Sequence, residues 1–242
     1  MNKRRDSNRR ILISEIFGPV FQGEGPIIGK QTIFVRVFGC DSRCEHCDTM
    51  YAVDVDAPGA ETRKLMDPED IVDKVEDLCP DYRIPVTISG GNPAIWDLSE
   101  LVKELDYRRR QIWVETQGTR WADWLMDCDK VIVSPKGPGM NDVRLGSPTT
   151  HDLEIFTTLY DLTFKVVIFS PADLDYAETI HEAFPTIPMY LSVGSPVGEY
   201  DRTAILDNMK QVMEWVLERP KLHFTTVLPQ LHALAHGGSR GV

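Results

Sequence analysis

The sequence predicts an α/β fold, a partial barrel of alternating strands and helices. Seven short runs rich in β-branched residues occur along the chain, and segments with helical spacing of apolar residues separate them. Strands separated by helices of this length pair in parallel through right-handed crossovers. Cysteine or small polar residues follow the first four strands, and in βα barrels the chemistry gathers at the carboxyl ends of the strands. An open sheet is the alternative, and the shared position of these residues favours the partial barrel.

The strand candidates begin at residue 32. They span residues 32–38, 85–89, 111–116, 130–134, 164–169, 189–193 and 222–228. The polar segments that follow the first four strands start at Cys40 and cover residues 89–92, 116–118 and 134–136. These segments are expected to meet at one site.

Three helices are predicted from the spacing of apolar residues. Asp67 and Pro68 are typical of the N-cap and first-turn positions of a helix. The three apolar faces consist of Ile71, Val72, Val75 and Leu78, then Leu98, Leu101, Val102 and Leu105, and finally Leu206, Met209, Val212, Met213 and Val216.

The composition indicates one globular domain that acts on a small molecule. A chain of 242 residues fits a single α/β barrel, so we expect one domain over residues 11–242 and a flexible basic tail over residues 1–10. The formal net charge of −11 would repel a phosphate backbone, which argues against nucleic acid as a partner. The basic tail alone resembles a nucleic-acid arm, and a solvated terminus is the simpler interpretation.

The cellular location expected from the sequence is the cytoplasm. We find neither a secretory signal pattern nor an apolar run of membrane-spanning length. Five cysteines, three of them within eight residues, do not fit a secreted disulfide framework. In a reducing compartment such a group more often holds metal, whereas the isolated Cys79 and Cys128 are interpreted as structural.

Cys40, Cys44 and Cys47 form a Cys-x3-Cys-x2-Cys loop after the first strand candidate. Thiolates are the usual ligands of iron–sulfur clusters, and an electron-transfer cluster normally takes four. Three thiolates leave one iron open to chelate the amino and carboxylate groups of S-adenosylmethionine (SAM). The alternative is a zinc site completed by His46. Adjacent residues rarely both face one tetrahedral ion, so the spacing favours a 4Fe-4S cluster.

The same cysteine spacing is the signature of the radical SAM superfamily, and flanking segments narrow the resemblance. Eight segments resemble those of the 7-carboxy-7-deazaguanine synthase family in the same order, namely 15–26, 34–36, 47–49, 87–93, 115–119, 134–136, 165–169 and 228–232. The resemblance implies a shortened partial (βα) barrel of the radical SAM type. It also implies ring contraction of 6-carboxy-5,6,7,8-tetrahydropterin to 7-carboxy-7-deazaguanine with loss of ammonia, a step in queuosine precursor synthesis.

The resemblance implies cofactors and roles for individual residues. The cofactors are the 4Fe-4S cluster, SAM that is regenerated, and Mg2+, for which Thr49 is the matching ligand. The matching substrate-binding residues are Phe21, Gln22, Gly23, Glu24, Arg36, Ser89, His232 and the terminal carboxylate of Val242. The matching SAM-binding residues are His46, Cys47, Asp48, Gly91, Ser134, Pro135 and Lys136. Glu115, Gln117 and Lys165 are further candidates for orienting SAM or substrate.

Several of these residues also have a simpler explanation. Residues 21–25 alone would fit a Gly-rich turn, Arg36 an exposed strand position, Lys136 a solvated strand end and Thr49 a helix N-cap.

The resemblance further implies a reductant such as flavodoxin or ferredoxin and a homodimer.

Two other functions compete with this hypothesis. A zinc-stabilised binding module would use the same cysteines without SAM. Another radical SAM enzyme, such as a glycyl-radical activase, would share the cysteine spacing and act on a protein. Segments 21–25 and 228–232 favour the pterin-converting enzyme.

Overall fold

The computed structural model describes residues 10–195, 198 and 200–241. Residues 1–9 of the expected tail and Val242 lie outside the described residues. Nine strands follow in chain order: β1 (Ile11–Phe21), β2 (Gln31–Val37), β3 (Lys64–Met66), β4 (Val86–Gly90), β5 (Ile112–Thr116), β6 (Lys130–Val133), β7 (Leu162–Ile168), β8 (Met189–Val193) and β9 (Thr226–Leu228).

The strands form one sheet with the order β3-β1-β2-β4-β5-β6-β7-β8-β9. Neighbouring strands from β2 to β9 pair in parallel, because each pair is joined by a crossover rather than a hairpin. β1 pairs antiparallel with both β2 and β3. The edge strands β3 and β9 do not pair with each other, so the described sheet does not close completely, which agrees with the predicted partial barrel.

All seven predicted strands are present, and the last one is shorter than predicted. Residues Pro220–Leu222 form a 3-10 turn, and Phe224 has a φ of 71°, which a β-strand does not accommodate. Only Thr226–Leu228 therefore pairs with β8. β1 and β3 were not predicted, because their antiparallel pairing lies outside the βα pattern.

Six α-helices occur in the described residues, and three of them were predicted. They are α1 (Pro68–Leu78), α2 (Ser99–Tyr107), α3 (Thr150–Leu153), α4 (Pro171–Ala183), α5 (Arg202–Leu217) and α6 (Leu231–His236). The predicted faces of α1 and α2 pack into the core. No described helix combines the length and apolar character that crossing a bilayer requires.

The predicted apolar face of α5 was partly wrong. Leu206 and Met213 are 54% and 39% exposed, whereas Ile205 and Val212 are buried. The helix therefore buries a narrower stripe, rotated toward Ile205, than the spacing of its apolar residues suggested.

Alternation along the strands separates the main core from a polar interior. In β7, Phe164, Val166 and Ile168 belong to the core under the helices. Lys165 and Val167 point to the opposite face, because successive side chains of a strand alternate. That opposite face forms the floor of the cavity described next.

Candidate active site

A large cavity lies over the carboxyl ends of the parallel strands. The space between its walls, including its open mouth, is about 1550 Å³. Its wall includes residues from β1, β2, β4, β5 and β7, the loop after β2, and the C-terminal segment.

The three clustered cysteines lie in the loop after β2, and their thiols line this cavity. Cys44 is buried against Met140 and Val167, with Cys47 and Phe169 beside them. Burial raises the pKa of the Cys44 thiol to about 12, and the neighbouring Cys40 and Cys47 act in the same direction. Without metal the thiol is therefore neutral, and metal binding would displace its proton.

Asp41 anchors the start of this loop. Its carboxylate accepts hydrogen bonds from Asn92 Nδ2 at 2.9 Å and from Thr119 Oγ1 at 2.8 Å, and it pairs with Arg120 at 3.5 Å. Asn92 is completely buried and also accepts a bond from Thr116 Oγ1 at 2.7 Å. The loop after β2 is thus bound to the strand ends of both β4 and β5.

A second anchor holds the other side of the loop through α4. The fully buried Asp173 accepts hydrogen bonds from the backbone N–H groups of Gly139 and Phe169 at 2.6 and 3.0 Å. The turn that contains Gly139 continues into Met140, whose carbonyl accepts the N–H of Glu45 at 3.0 Å. Met140 also contacts Cys44, so Asp173 acts on the cysteine loop through this turn.

The turn after β4 approaches the cysteine loop closely enough to require glycine. A Cβ atom on Gly91 would overlap the carbonyl of Gly39 and lie 3.0 Å from Cys40 Cβ. Asn92 N donates to the same carbonyl of Gly39 at 2.9 Å, so neither backbone can easily withdraw.

Gly91→Ala is therefore expected to displace the cysteine loop. The overlap should destabilise the protein by about 1–3 kcal/mol and lower the iron bound after anaerobic reconstitution. Urea unfolding and iron content measure the two effects. Gly146→Ala is the control, because Gly146 has a φ of 68° with no atom within 4 Å of the added Cβ. It should cost roughly 1–2 kcal/mol of backbone strain and leave iron binding unchanged; equal iron contents in all three proteins would contradict the expectation.

Another wall of the cavity carries a charge network centred on the buried Lys165. Lys165 Nζ contacts carboxylate oxygens of both Glu24 and Glu115, and its side chain is 2% exposed. Burial alone would raise the pKa of Glu24, but Lys165, His232 and hydrogen bonds from Lys165 and Gln230 lower it to about 2. Burial opposes the charge of Lys165, and the two carboxylates raise its pKa. With both carboxylates ionised, this wall has one more negative than positive charge.

Arg36 belongs to another ionic group beside the cavity. Its Nε donates to Glu15 Oε1 at 2.8 Å, and Tyr51 OH donates to the same oxygen at 2.7 Å. The other oxygen of Glu15 pairs with Arg240 at 3.4 Å, and the Arg240 guanidinium lies 3.6 Å from the centre of the Tyr51 ring. Arg36 is thus a half-buried cation, and Arg240 binds the C-terminal segment to the cavity rim.

Glu24, Asp48 and His232 bring polar atoms together at the mouth of the cavity. One ligand atom from each lies within 4.8 Å of the others, and His232 Nε2 is 3.8 Å from Asp48 Oδ2. His232 packs directly on Gly23, because the N–H of Leu231 donates to the carbonyl of Gly23 at 2.8 Å.

Thr49 follows Asp48 and precedes a 3-10 helix over Met50–Ala52. Its side chain makes no capping hydrogen bond there. Its hydroxyl instead lies 3.7 Å from Cys47 Sγ and faces the cavity. The N-cap explanation of Thr49 therefore lacks the hydrogen bond that defines it.

The structure brings nearly all described residues of the sequence hypothesis into this one cavity. The lining residues among them are Phe21, Gln22, Gly23, Glu24, Arg36, Cys40, Cys44, His46, Cys47, Asp48, Thr49, Ser89, Gly91, Glu115, Gln117, Ser134, Lys136, Lys165 and His232. Pro135 is buried and is not a lining residue. The sequence hypothesis gave no role to Tyr51, Gln230 and Arg240, which line the cavity. It also gave none to Glu15, whose carboxylate binds Arg36, Tyr51 and Arg240.

Two curated relatives match almost from end to end. The 7-carboxy-7-deazaguanine synthase of Bacillus subtilis is 37% identical over 247 residues, which cover 96% of this chain and 98% of the relative. The enzyme of the same name from Bacillus cereus is 34% identical over 245 residues, which cover 96% and 99%. This chain belongs to the 7-carboxy-7-deazaguanine synthase family.

The 7-carboxy-7-deazaguanine synthase family lies within a larger superfamily that the chain also matches. Residues 34–221 match the model of the Radical SAM superfamily. The crystal structure of QueE from Escherichia coli covers 92% of this chain and 95% of its own, with a TM-score of 0.66 and 22% identity. Streptococcus suis SuiB bound to S-adenosylmethionine matches with a TM-score of 0.52, 13% identity and coverage of 82% and 50%. These two structures support the fold alone.

Membership in the 7-carboxy-7-deazaguanine synthase family identifies the chain as a radical SAM enzyme, which implies a 4Fe-4S cluster and SAM. The predicted family and enzyme class are thereby confirmed. The zinc-stabilised module and the glycyl-radical activase are correspondingly disfavoured.

Proposed function

We propose that this enzyme contracts the ring of 6-carboxy-5,6,7,8-tetrahydropterin to 7-carboxy-7-deazaguanine with release of ammonia, a step in queuosine precursor biosynthesis. The observation that carries the proposal is the pairing of two unlike walls in one cavity. Three free thiols line one wall, and a charged, hydrogen-bonding group around Glu24 and Lys165 lines the other. The near end-to-end similarity to enzymes named for this product supports it.

The cysteine wall fits the cluster by its donor chemistry. Cys40, Cys44 and Cys47 are free thiols in one loop, so they would supply three thiolates to the 4Fe-4S cluster. When bound and reduced, the cluster supplies the electron that cleaves SAM to a 5′-deoxyadenosyl radical. His46, Cys47, Asp48, Gly91, Ser134 and Lys136 would bind SAM, whereas Pro135 of the same segment does not line the cavity. His46 is held by the Phe169 ring at 4.7 Å between centroids, and Lys136 Nζ donates to Ser134 Oγ at 3.2 Å.

The charged wall fits a flat heterocycle rich in donors and acceptors. Glu24 is ionised at neutral pH because its pKa is about 2, so it would accept from the guanidine-like edge of the pterin. Phe21, Gln22 and Gly23 precede it in the same loop, and Ser89 and His232 would contribute further polar contacts. A buried polar atom left without a partner costs about 1–3 kcal/mol, which favours a ligand whose edges match these groups.

Arg36 would bind the substrate carboxylate. Burial opposes its charge, but Tyr51 and Glu15 raise its pKa, so it remains a cation. A planar guanidinium suits a carboxylate better than an ammonium does. The terminal carboxylate of Val242 is proposed to approach the substrate as well, although Val242 itself lies outside the described residues.

Thr49 is proposed as a Mg2+ ligand beside the substrate carboxylate. Magnesium prefers oxygen ligands and retains several waters, so one hydroxyl and one substrate oxygen suit it. Asp48, which precedes Thr49 in the chain, offers a carboxylate oxygen that would compete with Thr49 for the ion. It lies in the group with Glu24 and His232.

Thr49→Ala should raise the Mg2+ concentration needed for half-maximal turnover and slow turnover, while cluster content stays near that of the wild type. Thr49→Ser keeps the oxygen and serves as the control. An N-cap role would instead cost about 1 kcal/mol of stability and leave the Mg2+ dependence unchanged. If Asp48→Asn shifts the Mg2+ curve and Thr49→Ala does not, the ligand is Asp48 and the assignment of Thr49 fails.

The decisive test of the reaction is an anaerobic incubation. The reconstituted enzyme receives SAM, a reductant, Mg2+ and the carboxylated pterin, and the product is identified by mass. Formation of 7-carboxy-7-deazaguanine with SAM largely recovered is the expected result. Cleavage of SAM without conversion of the pterin would refute the proposed substrate and leave the radical SAM assignment intact.

The remaining parts of the proposal concern partners and organisation. We propose a flavodoxin or ferredoxin as the electron donor, a homodimer as the assembly, the cytoplasm as the location, and one domain over residues 11–242. The formal net charge of −11 supports a small-molecule substrate over nucleic acid. Size-exclusion chromatography with light scattering tests the dimer.

A further inference from the structure

Gln117 occupies a distinctive position between β5 and the cysteine loop. Its side chain is 4% exposed and follows the last residue of β5. Gln117 Nε2 lies 2.8 Å from Asp41 Oδ1, 2.8 Å from Ser42 Oγ and 3.5 Å from Cys40 Sγ. Its amide group therefore faces the first cysteine and the two residues after it.

Metal binding at Cys40 changes the contacts between Cys40 and Gln117, because it removes the proton of the thiol. As a neutral thiol, Cys40 also lies within reach of Gln117 Oε1, at 3.6 Å, and could donate to it. A thiolate has no S–H, so a metal-bound Cys40 can only accept. The remaining interaction is then the bond from Gln117 Nε2–H to the sulfur.

We propose that Gln117 is a positioning residue whose amide N–H donates to the cluster-bound sulfur of Cys40 and raises the reduction potential of the cluster. Hydrogen bonds to the sulfurs are among the factors that set the potential of an iron–sulfur cluster. The positive end of the N–H dipole stabilises the reduced, more negative state. The inference rests on the proposed function, because it requires the cluster at Cys40, Cys44 and Cys47.

Other hydrogen bonds hold Gln117 and the cysteine loop in place. Asp41 also accepts from Asn92 Nδ2 and Thr119 Oγ1, so its carboxylate retains other donors when Gln117 is replaced. The backbone of Thr116, just before Gln117, accepts from Ser134 N at 2.7 Å. The loop should therefore survive loss of the Gln117 amide.

The test is an EPR-monitored redox titration of reconstituted enzyme without SAM. Gln117→Met keeps the length of the side chain and removes both N–H donors. The equilibrium constant for cluster reduction should fall by about tenfold, which is 59 mV for a one-electron couple. Thr119→Val is the matched control, because it removes a donor to Asp41 without touching Cys40. It should change the constant by less than about twofold.

The proposal is overturned if Gln117→Met has full cluster content and an equilibrium constant for cluster reduction within twofold of the wild-type value. A second measurement covers the case in which that variant binds no cluster. In wild-type enzyme labelled with amide-15N glutamine, HYSCORE spectra of the reduced cluster should show a 15N coupling, and Gln117→Glu, which has no side-chain nitrogen, should lack it. A wild-type spectrum without this coupling also overturns the proposal. Wild-type protein that assembles no 4Fe-4S cluster would refute the proposed function instead, so the two failures are distinguishable.

Discussion

Cys44→Ala is expected to abolish the reductive cleavage of SAM. Cys44 is the most buried of the three loop cysteines, and it packs against Met140 and Val167, neither of which can supply a thiolate. Two thiolates would leave the cluster labile and the open iron undefined. The measurement is 5′-deoxyadenosine formed after anaerobic reconstitution, together with iron per chain. Cys40→Ala and Cys47→Ala should give the same result.

The two remaining cysteines provide matched controls. Cys79 is buried in the main core, and Cys128 lies at its edge with Sγ 3.5 Å from the carbonyl of Trp124. Cys79→Ala and Cys128→Ala should lose some packing and keep SAM cleavage and iron content. A Cys44→Ala enzyme that cleaves SAM at the wild-type rate would remove Cys44 from the cluster site.

The parallel part of the fold was predictable because short local sequence patterns indicate its strands and the helices between them. β2 and each strand from β4 to β9 are short runs bounded by turn residues, and the crossovers between them fix parallel pairing. β1 carries no such signal, since Gly18 and Pro19 interrupt its apolar pattern and its register with β2 shifts twice. Its place in the sheet depends on pairing with β2 and β3, which no local pattern encodes.

The candidate site was predictable where its residues are adjacent in the chain. The cysteine loop and residues 21–24 are each one continuous segment, and βα geometry brings strand ends together. The supporting contacts join distant segments instead. Glu15 and Arg240 are separated by 225 positions, and Asp41 and Thr119 by 78. From the sequence alone, charged residues such as Glu15 and Arg240 are expected on the solvated surface. Only the fold shows which groups they contact.

The face of α5 illustrates another limit of local patterns. Leu206 and Met213 have the spacing of a buried stripe, yet the residues that the helix buries are Ile205 and Val212. Spacing establishes that a segment is helical. The neighbouring elements decide which of its apolar residues are buried.

Lys165→Met is expected to destabilise the enzyme by about 3–5 kcal/mol at pH 7.5, because it leaves two carboxylates buried without their cation. The side chains of Lys165, Glu24 and Glu115 are only 2%, 12% and 20% exposed, so solvent screens the lost interaction weakly. Methionine has similar length and no charge, so lost packing contributes little. Urea unfolding of wild type and variant at pH 7.5 measures the difference.

The pH dependence of this loss identifies its cause. In the wild type the pKa of Glu24 is lowered to about 2, so its contribution is complete above about 4.5 and is lost as the pH falls toward 2. In Lys165→Met, burial is no longer opposed by the ammonium and should raise the pKa of Glu24 above its usual range. Protonation near pH 5 then relieves the buried charge, and the stability difference between wild type and variant should narrow.

The double variant Lys165→Met with Glu24→Gln removes that charge at every pH and should recover part of the loss at pH 7.5. A difference that is the same at pH 5 and pH 7.5, and that Glu24→Gln does not reduce, would mean that Lys165 stabilises the fold through packing rather than through its charge.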